Sequence, residues 1–333
     1  MRRILMAACI AASLAALSAG AQSPSTEVYL AEIERIDDSI VVKRPVNITR
    51  RAGYDNQPAF TADSRSILYV AQSDGQTDIW RYDIRSRATV RVTRTPESEY
   101  SPTPIPGERR FSVIRVERDS TQRLWSFAMN GRDPRLVLQQ LKPVGYHGWL
   151  GSRRLAAYVL GTPSTLHVIN RDGSGDAIVA RNVGRAVQVL SAGSNPLFTF
   201  TQRDASDKLR IHAYTGRTQT MRYGRQTVRI QRDQGPDRTN VTSGVDSVVT
   251  VAEAPYELVA AAPDNEFHTW TPDNILITAT SSTLVRWNAV LGAASAWLPV
   301  ADLRSYGVQN VSRLAMSDDG RWLAFVAEPA PRP

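Results

Sequence analysis

Cysteine is almost absent from this chain of 333 residues, which contains only Cys9. Because Cys9 falls inside an N-terminal apolar run that we expect to be removed, the mature protein should have no disulfide, no thiolate ligand and no lipid-bearing first cysteine. No later apolar run reaches the roughly 18 residues that a membrane-spanning helix requires. The sequence therefore excludes a disulfide-rich scaffold and a lipoprotein, and it predicts no transmembrane segment.

The N-terminus has the composition of a secretion signal. Arg2 and Arg3 precede an apolar run over residues 4–17, and Ala19-Gly20-Ala21 supplies the small residues that a signal peptidase accepts. We therefore predict a signal peptide over residues 1–21 and a single mature domain over residues 22–333. The expected location is the periplasm or the extracellular medium.

Lysine is also scarce, since Lys43, Lys142 and Lys208 are the only three. The chain is nevertheless basic, with 40 Lys and Arg against 32 Asp and Glu and a net charge of +8. The arginines are scattered among acidic residues and form no basic block, so the composition does not indicate a nucleic-acid surface. We predict no nucleic-acid partner.

Catalytic and metal-binding motifs are missing as well. No G-x-S-x-G nucleophile elbow occurs, and Ser174, which follows Asp172 and Gly173, has the setting of a hairpin turn. The four histidines form no H-x-x-x-H pair, and no mature cysteine could complete a zinc site. The sequence predicts no catalytic residue, no metal ligand and no cofactor. The histidines are His147, His167, His212 and His268.

What the chain does contain is a repeat. A short alternating strand recurs at intervals of 42 to 45 residues, followed by one interval of 75. Four-stranded propeller blades repeat at about 40–50 residues, so the spacing is typical of a β-propeller with one insertion. The marker residues of the strand are Ile79, Leu124, Leu166, Leu209 and Leu284.

The two ends of the chain complement each other. The last hairpin, over residues 315–326, has no strands after it, whereas residues 27–33 and 40–42 are strand-like and have no hairpin before them. If the N-terminal strands complete the last blade, the ring closes without a free sheet edge. We therefore predict an all-β, six-bladed, monomeric β-propeller that is closed by its own N-terminal strands.

The surplus of the long interval lies at about residues 224–263, in the fourth blade. Its alternating pieces favour extra strands that contribute to partner binding, with Arg225, Arg229 and Arg232 as the expected contacts. The alternative for this stretch is a seventh blade.

Six motifs are distributed over nearly all of the mature chain. They are Asn47-Ile48-Thr49, Pro58-Ala59-Phe60, Asp78-Ile79-Trp80-Arg81-Tyr82-Asp83, Arg91-Val92-Thr93, Trp270-Thr271-Pro272-Asp273 and Ser317-Asp318-Asp319-Gly320. Together they resemble the TolB-type propeller repeat family of bacterial periplasmic proteins. The resemblance implies a six-bladed ring that binds a protein or ligand at one face. Because strand pattern begins almost directly after Gln22, we expect no TolB-like N-terminal α/β domain.

The expected site is the mouth of the central channel. His147 and His268 each lie two residues before an inner-strand tryptophan, and we expect them to point into the channel. The alternative is a polar, water-filled channel without a specific ligand. The predicted binding residues are Gln57, His147, Glu266, His268 and Arg313.

These observations favour a non-catalytic module that binds an envelope protein or a peptide. The alternative function is a calcium-dependent, lactonase-like or other metal-dependent hydrolase, because oxygen-bearing residues occur near inner-strand starts. The oxygen-bearing residues in question are Asp55, Asn56, Glu266 and Asn310.

Overall fold

The structure is a computed structural model. It describes residues 25–36, 39–190, 198–216, 218–223, 229–230, 238–239, 247–252, 255–260, 265–288 and 296–329. The predicted signal peptide lies outside the described residues. No helix in these ranges is long and apolar enough to cross a membrane.

The described chain is built almost entirely from β-strands. Three N-terminal strands come first: β1 (Glu27–Ile36), β2 (Ser39–Val42) and β3 (Val46–Asn47). Blade 1 contains β4 (Asp55–Phe60), β5 (Ser66–Ser73), β6 (Gln76–Asp83) and β7 (Thr89–Arg91). Blade 2 contains β8 (Ser98–Pro104), β9 (Arg110–Val116), β10 (Gln122–Ala128) and β11 (Arg135–Leu136). Blade 3 contains β12 (Val144–Trp149), β13 (Arg154–Val159), β14 (Thr165–Asn170) and β15 (Ala177–Arg181).

Blade 4 begins with β16 (Val183–Val189), β17 (Phe198–Arg203) and β18 (Leu209–Tyr214). Four further strands follow: β19 (Thr218–Tyr223), β20 (Arg229–Ile230), β21 (Arg238–Thr239) and β22 (Ser247–Ala252). The blade ends with β23 (Tyr256–Ala260). Blade 5 contains β24 (Thr269–Trp270), β25 (Ile275–Thr280), β26 (Thr283–Asn288) and β27 (Leu298–Asp302). A 3₁₀ helix (Arg304–Tyr306) leads to β28 (Val308–Gln309), β29 (Leu314–Met316) and β30 (Trp322–Pro329).

Each blade is an antiparallel sheet of four strands, which follow one another in the chain in every blade except blades 4 and 6, and the sixth blade closes the ring. Its order from the channel outward is β29, β30, β1 and β2. Tyr29 of β1 pairs with Phe325 of β30, and their rings stack with centroids 5.5 Å apart. The predicted six-bladed fold and its closure by N-terminal strands are therefore confirmed.

The second strand of each blade forms the core. In β5, β9 and β30, the five residues over 67–71, 111–115 and 323–327 are all buried. Such continuous burial differs from the alternation of a one-sided sheet, because neighbouring blades cover both faces of every strand. Each large apolar side chain buried in this way stabilises the fold by about 1.5–3 kcal/mol.

The extra residues of the long interval lie, in sequence, between the third and fourth strands of blade 4. Strand β19 pairs with β22, and β20 pairs with β21. Strand β23 then pairs with β18 as the outer edge of the blade. The ring has six blades, so the alternative of a seventh blade over this stretch is wrong.

Candidate functional site

The inner strands of the six blades surround a central cavity of about 750 Å³. Arg154 and Asp318 lie at the end where these strands finish. We call the other end, near the strand starts, the arginine mouth. The residues that line the arginine mouth are Gln57, Ser101, Tyr146, Arg185, Phe267 and Arg313.

Gln57 connects the first two blades at the arginine mouth. Its side-chain Oε1 accepts a hydrogen bond of 2.7 Å from the backbone N–H of Ser101. Both residues have left-handed backbone geometry, with φ of 55° and 53°, and each lies at an irregularity in the pairing of its inner strand. Such bulges turn the strand locally, so the two blades present matching bends to the channel.

Glu266 is held by Arg185 from the neighbouring blade. The Nε and Nη2 atoms of Arg185 each lie 2.9 Å from Glu266 Oε2, and the backbone N–H of Arg185 donates to Oε1. A Cβ at Gly184 would lie 2.6 Å from Oε1, so glycine is needed for this close approach. Burial opposes the charge of Arg185, but Glu266 keeps the pKa of the guanidinium raised overall.

Arg313 extends across the channel. Its Nη2 donates a hydrogen bond of 3.0 Å to the Tyr146 hydroxyl, which belongs to blade 3 and therefore lies opposite blade 6 in a ring of six. The Arg313 guanidinium also stacks 4.0 Å from the centroid of the Phe267 ring. Within the described ranges, no carboxylate pairs with Arg313. The side chain is thus a partly buried cation without a counterion among the described residues.

Tyr54 lies near the same charges. Burial raises the pKa of Tyr54 to about 12, while the positive charges of Arg313 and Arg185 act in the opposite direction. The phenol therefore stays neutral, and it adds a second tyrosine to the surroundings of the two guanidinium groups.

The imidazoles of His147 and His268 bond to neighbouring blades and not to groups in the channel, although His147 also borders the cavity, and this corrects the expectation drawn from the sequence. His147 Nε2 lies 2.6 Å from Ser112 Oγ of blade 2, and His268 Nε2 lies 2.8 Å from Thr199 Oγ1 of blade 4. Both histidines are buried, with exposed fractions of 6% and 1%. Residues two apart on a strand share a face, so each histidine lies on the same side as its tryptophan, in the interface between adjacent blades, which we call the seam.

Of the predicted set, Gln57 and Arg313 line the arginine mouth, and Glu266 lies beside it through its contacts with Arg185. Sequence reasoning missed Tyr146, Arg185 and Phe267. A signal for two of them was present, because Tyr146 and Phe267 directly precede the two buried histidines and must face the other way. Nothing in the local pattern distinguishes Arg185 from the many other arginines.

The predicted insertion contacts stay largely outside this description. Arg225 and Arg232 fall outside the described residues, and Arg229 is described only by its backbone pairing with Thr239. Their role in partner binding remains a prediction.

The residues considered for calcium are engaged separately. Asp55 pairs with Arg51, and Asn310 donates to Glu328 over 2.9 Å. No three His, Asp or Glu side chains in the described part of the chain are grouped as they would be around a metal ion. Ser174 lies in the expected turn, where its hydroxyl and its backbone N–H donate to Asp172 over 2.7 and 2.9 Å.

Comparison with known proteins supports the fold. No family model matches the sequence, and no curated protein is significantly similar to it. The structure assigned as TolB from Agrobacterium tumefaciens matches with a TM-score of 0.60 at 12% identity, covering 93% of this chain and 100% of that one. A gluconolactonase from Xanthomonas campestris matches with a TM-score of 0.54 at 10% identity, covering 90% and 95%.

TolB from Acinetobacter baumannii matches with a TM-score of 0.49 at 10% identity over 91% of this chain. This chain spans 64% of the length of that protein. At such identities the similarity concerns the fold alone. The expected resemblance to a TolB-type propeller is confirmed at that level.

Proposed function

We propose that this protein is a non-catalytic, exported binding module of the bacterial envelope that captures a protein or small ligand at the arginine mouth. The proposal rests above all on Arg313. A partly buried guanidinium without a carboxylate partner is costly, and a bound ligand would supply the missing counterion. The similarity to TolB structures, together with the N-terminal pattern of a signal peptide, supports the location.

The geometry of the mouth supports binding more than catalysis. Acid–base or nucleophilic catalysis needs an activated group within reach of a substrate. Glu266, the carboxylate described beside the two guanidinium groups, is neutralised by Arg185. His147 and His268 are buried between blades. A calcium-dependent hydrolase gains no support from the contacts of Asp55, Glu266 and Asn310, because each is engaged with a different partner.

Site-specific photocrosslinking in the native bacterium tests the proposal. A benzophenone amino acid in place of Gln57 lies at the arginine mouth, and the same group in place of Val90 lies on the outer edge of the same blade. Val90 is 45% exposed, so it is a matched surface control. We expect a discrete envelope adduct from position 57 that is absent at position 90.

Identical adducts from both positions, or none from position 57, would overturn the capture of a protein partner at the arginine mouth. A panel of lactones and esters with calcium or EDTA tests the alternative function. Metal-dependent turnover of any of these substrates would favour the hydrolase.

A further inference from the structure

The Tyr146 side chain lies beside two guanidinium groups. Its oxygen accepts the hydrogen bond from Arg313 Nη2, and the same phenol interacts with the Arg185 side chain. A phenol oxygen that accepts from one guanidinium and lies near a second directs its own proton away from both cations. In the described ranges, no hydrogen bond uses this proton, so it is left to be donated to an acceptor in the channel.

The charges of the cluster leave one positive charge uncompensated. Glu266 neutralises Arg185 through contacts of 2.9 Å, whereas Arg313 has no acidic partner in the described part of the chain. The described hydrogen bonds use a single N–H of the Arg313 side chain, although a guanidinium carries five. Free donors and one net charge together fit a monoanion.

Phe267 fixes both cations in place. The Arg313 guanidinium lies 4.0 Å from the ring centroid, and the Arg185 guanidinium lies 5.3 Å from it. Phe267 is 9% exposed, so the ring also displaces water from beneath the two side chains. Charge-assisted hydrogen bonds strengthen where an apolar ring keeps solvent from one side of the donors.

We propose that the arginine mouth binds a single carboxylate group, held by the guanidinium of Arg313 and the hydroxyl of Tyr146. This inference rests on the proposed binding function and specifies its ligand chemistry. A planar carboxylate matches a guanidinium fork, whereas a tetrahedral dianion would keep an unneutralised charge. Since Arg313 crosses from blade 6 to blade 3, the carboxylate enters along the channel axis.

Benzoate and benzamide form a matched pair of probes, because they have the same shape and only benzoate is charged. Calorimetric titration of the mature full-length domain should show saturable millimolar binding of benzoate and none of benzamide. The R313Q variant should weaken benzoate binding by about tenfold, which corresponds to about 1.4 kcal/mol. The Y146F variant, which loses only the hydroxyl, should weaken it by a smaller factor.

The control variant is R154Q. Arg154 lines the same cavity at the other end, so its replacement removes one positive charge without touching the cluster. We expect unchanged benzoate binding. Equal weakening by R154Q and R313Q would mean that general cavity charge attracts the anion, and inorganic phosphate binding more tightly than benzoate would contradict carboxylate selectivity.

Three short peptides then separate the sources of the carboxylate. One has a free C-terminus, one has the same sequence as a C-terminal amide, and one is amidated but contains an internal glutamate. Binding of the first peptide alone assigns a C-terminal carboxylate, and binding of the third assigns an acidic side chain. Equal binding of all three peptides would overturn the inference.

The two proposals fail separately. A specific adduct at position 57 without benzoate binding would leave the binding module and remove the carboxylate site. Benzoate binding that depends on Arg313, without any adduct, would leave the site and remove the envelope partner.

Discussion

The Nε2 atom of His147 lies 2.6 Å from the Oγ atom of Ser112, and this contact joins blade 3 to blade 2. The same Oγ accepts a hydrogen bond of 2.8 Å from Trp149 and donates one of 3.1 Å to the Thr103 carbonyl. If the serine proton is donated to Thr103, His147 donates through Nε2 and Nδ1 is the deprotonated nitrogen.

The same arrangement occurs between blades 4 and 5. Thr199 Oγ1 lies 2.8 Å from His268 Nε2 and accepts a hydrogen bond of 2.9 Å from Trp270. In both seams, a histidine and a tryptophan two residues apart converge on one hydroxyl of the preceding blade. The pattern H-x-W in this chain is therefore an interblade contact.

The free energy of unfolding should fall as the pH drops below about 6.5, the ordinary pKa of histidine in an unfolded chain. Burial lowers the pKa of His147 to about 3 and that of His268 to about 4. At pH values between the folded and the unfolded pKa of each histidine, the unfolded chain binds a proton that the folded chain does not. The contribution of the histidines to the free energy of unfolding is therefore complete at neutral pH and is lost toward acid. Each histidine contributes a loss of about 1.4 kcal/mol per pH unit.

The measurement is urea unfolding between pH 7 and pH 4. Carboxylates titrate in the lower part of this window, so the wild type is compared with H147Q/H268Q, and the difference in slope isolates the histidines. The slope of the free energy of unfolding against pH should be smaller in the double variant, by the amount that corresponds to the uptake of about two protons on unfolding. Identical slopes would show that the imidazoles are not the cause.

Removal of either seam hydroxyl should destabilise the ring. In Ser112→Ala or Thr199→Val, the indole N–H and the histidine lose their shared partner inside a buried seam. Each orphaned donor costs about 1–3 kcal/mol. The urea midpoint should fall with an unchanged m-value, whereas the exposed-turn variant Ser206→Ala should stay within about 0.5 kcal/mol of wild type. A loss as large in Ser206→Ala would point to a general effect of serine replacement.

The closing strand should be indispensable. Deletion of residues 27–40 removes β1 and leaves β30 as an exposed edge, so we expect aggregation on size-exclusion chromatography. A milder test is Tyr29→Ala, which removes a 5% exposed ring that stacks on Phe325 and should cost about 3–5 kcal/mol. Tyr306→Ala, at a residue 43% exposed, is the control and should be nearly neutral. A monomeric deletion variant with an unchanged melting temperature would contradict this role of β1.

Neutralisation of Glu266 should alter the charge preference of the arginine mouth. The E266Q variant keeps an oxygen for the backbone N–H of Arg185 but releases its guanidinium from an ion pair. The cluster then carries two uncompensated positive charges, so affinity for dianions such as succinate should increase relative to benzoate. Parallel calorimetric titrations of both anions measure the ratio. An unchanged ratio would mean that Glu266 does not set the charge of the site.

The fold could be predicted from the sequence because it depends on local repetition. Strand-forming residues, turn residues and an interval near 43 residues recur along the chain, and each blade needs only its neighbours to be covered. The closure of the ring could be predicted for the same reason, because the strand patterns at the two ends of the chain each lack the partner strands that the other end supplies. The sequence left open whether the surplus of the long interval forms extra strands of the fourth blade or a seventh blade, and backbone pairing of β23 with β18 decided it.

Only part of the candidate site could be predicted from the sequence. Alternation along a strand states which residues share a face, but it does not state which face meets the channel, and His147 and His268 were assigned to the wrong one. The residues that come together around the Tyr146 side chain belong to blades 3, 4 and 6, and they are separated by up to 167 positions in the chain. Such convergence is a property of the closed ring. The sequence alone determined the repeat and the closure by the N-terminal strands. Ring geometry, which sets the distance between the inner strands of opposite blades, decided that Arg313 reaches across the axis to Tyr146.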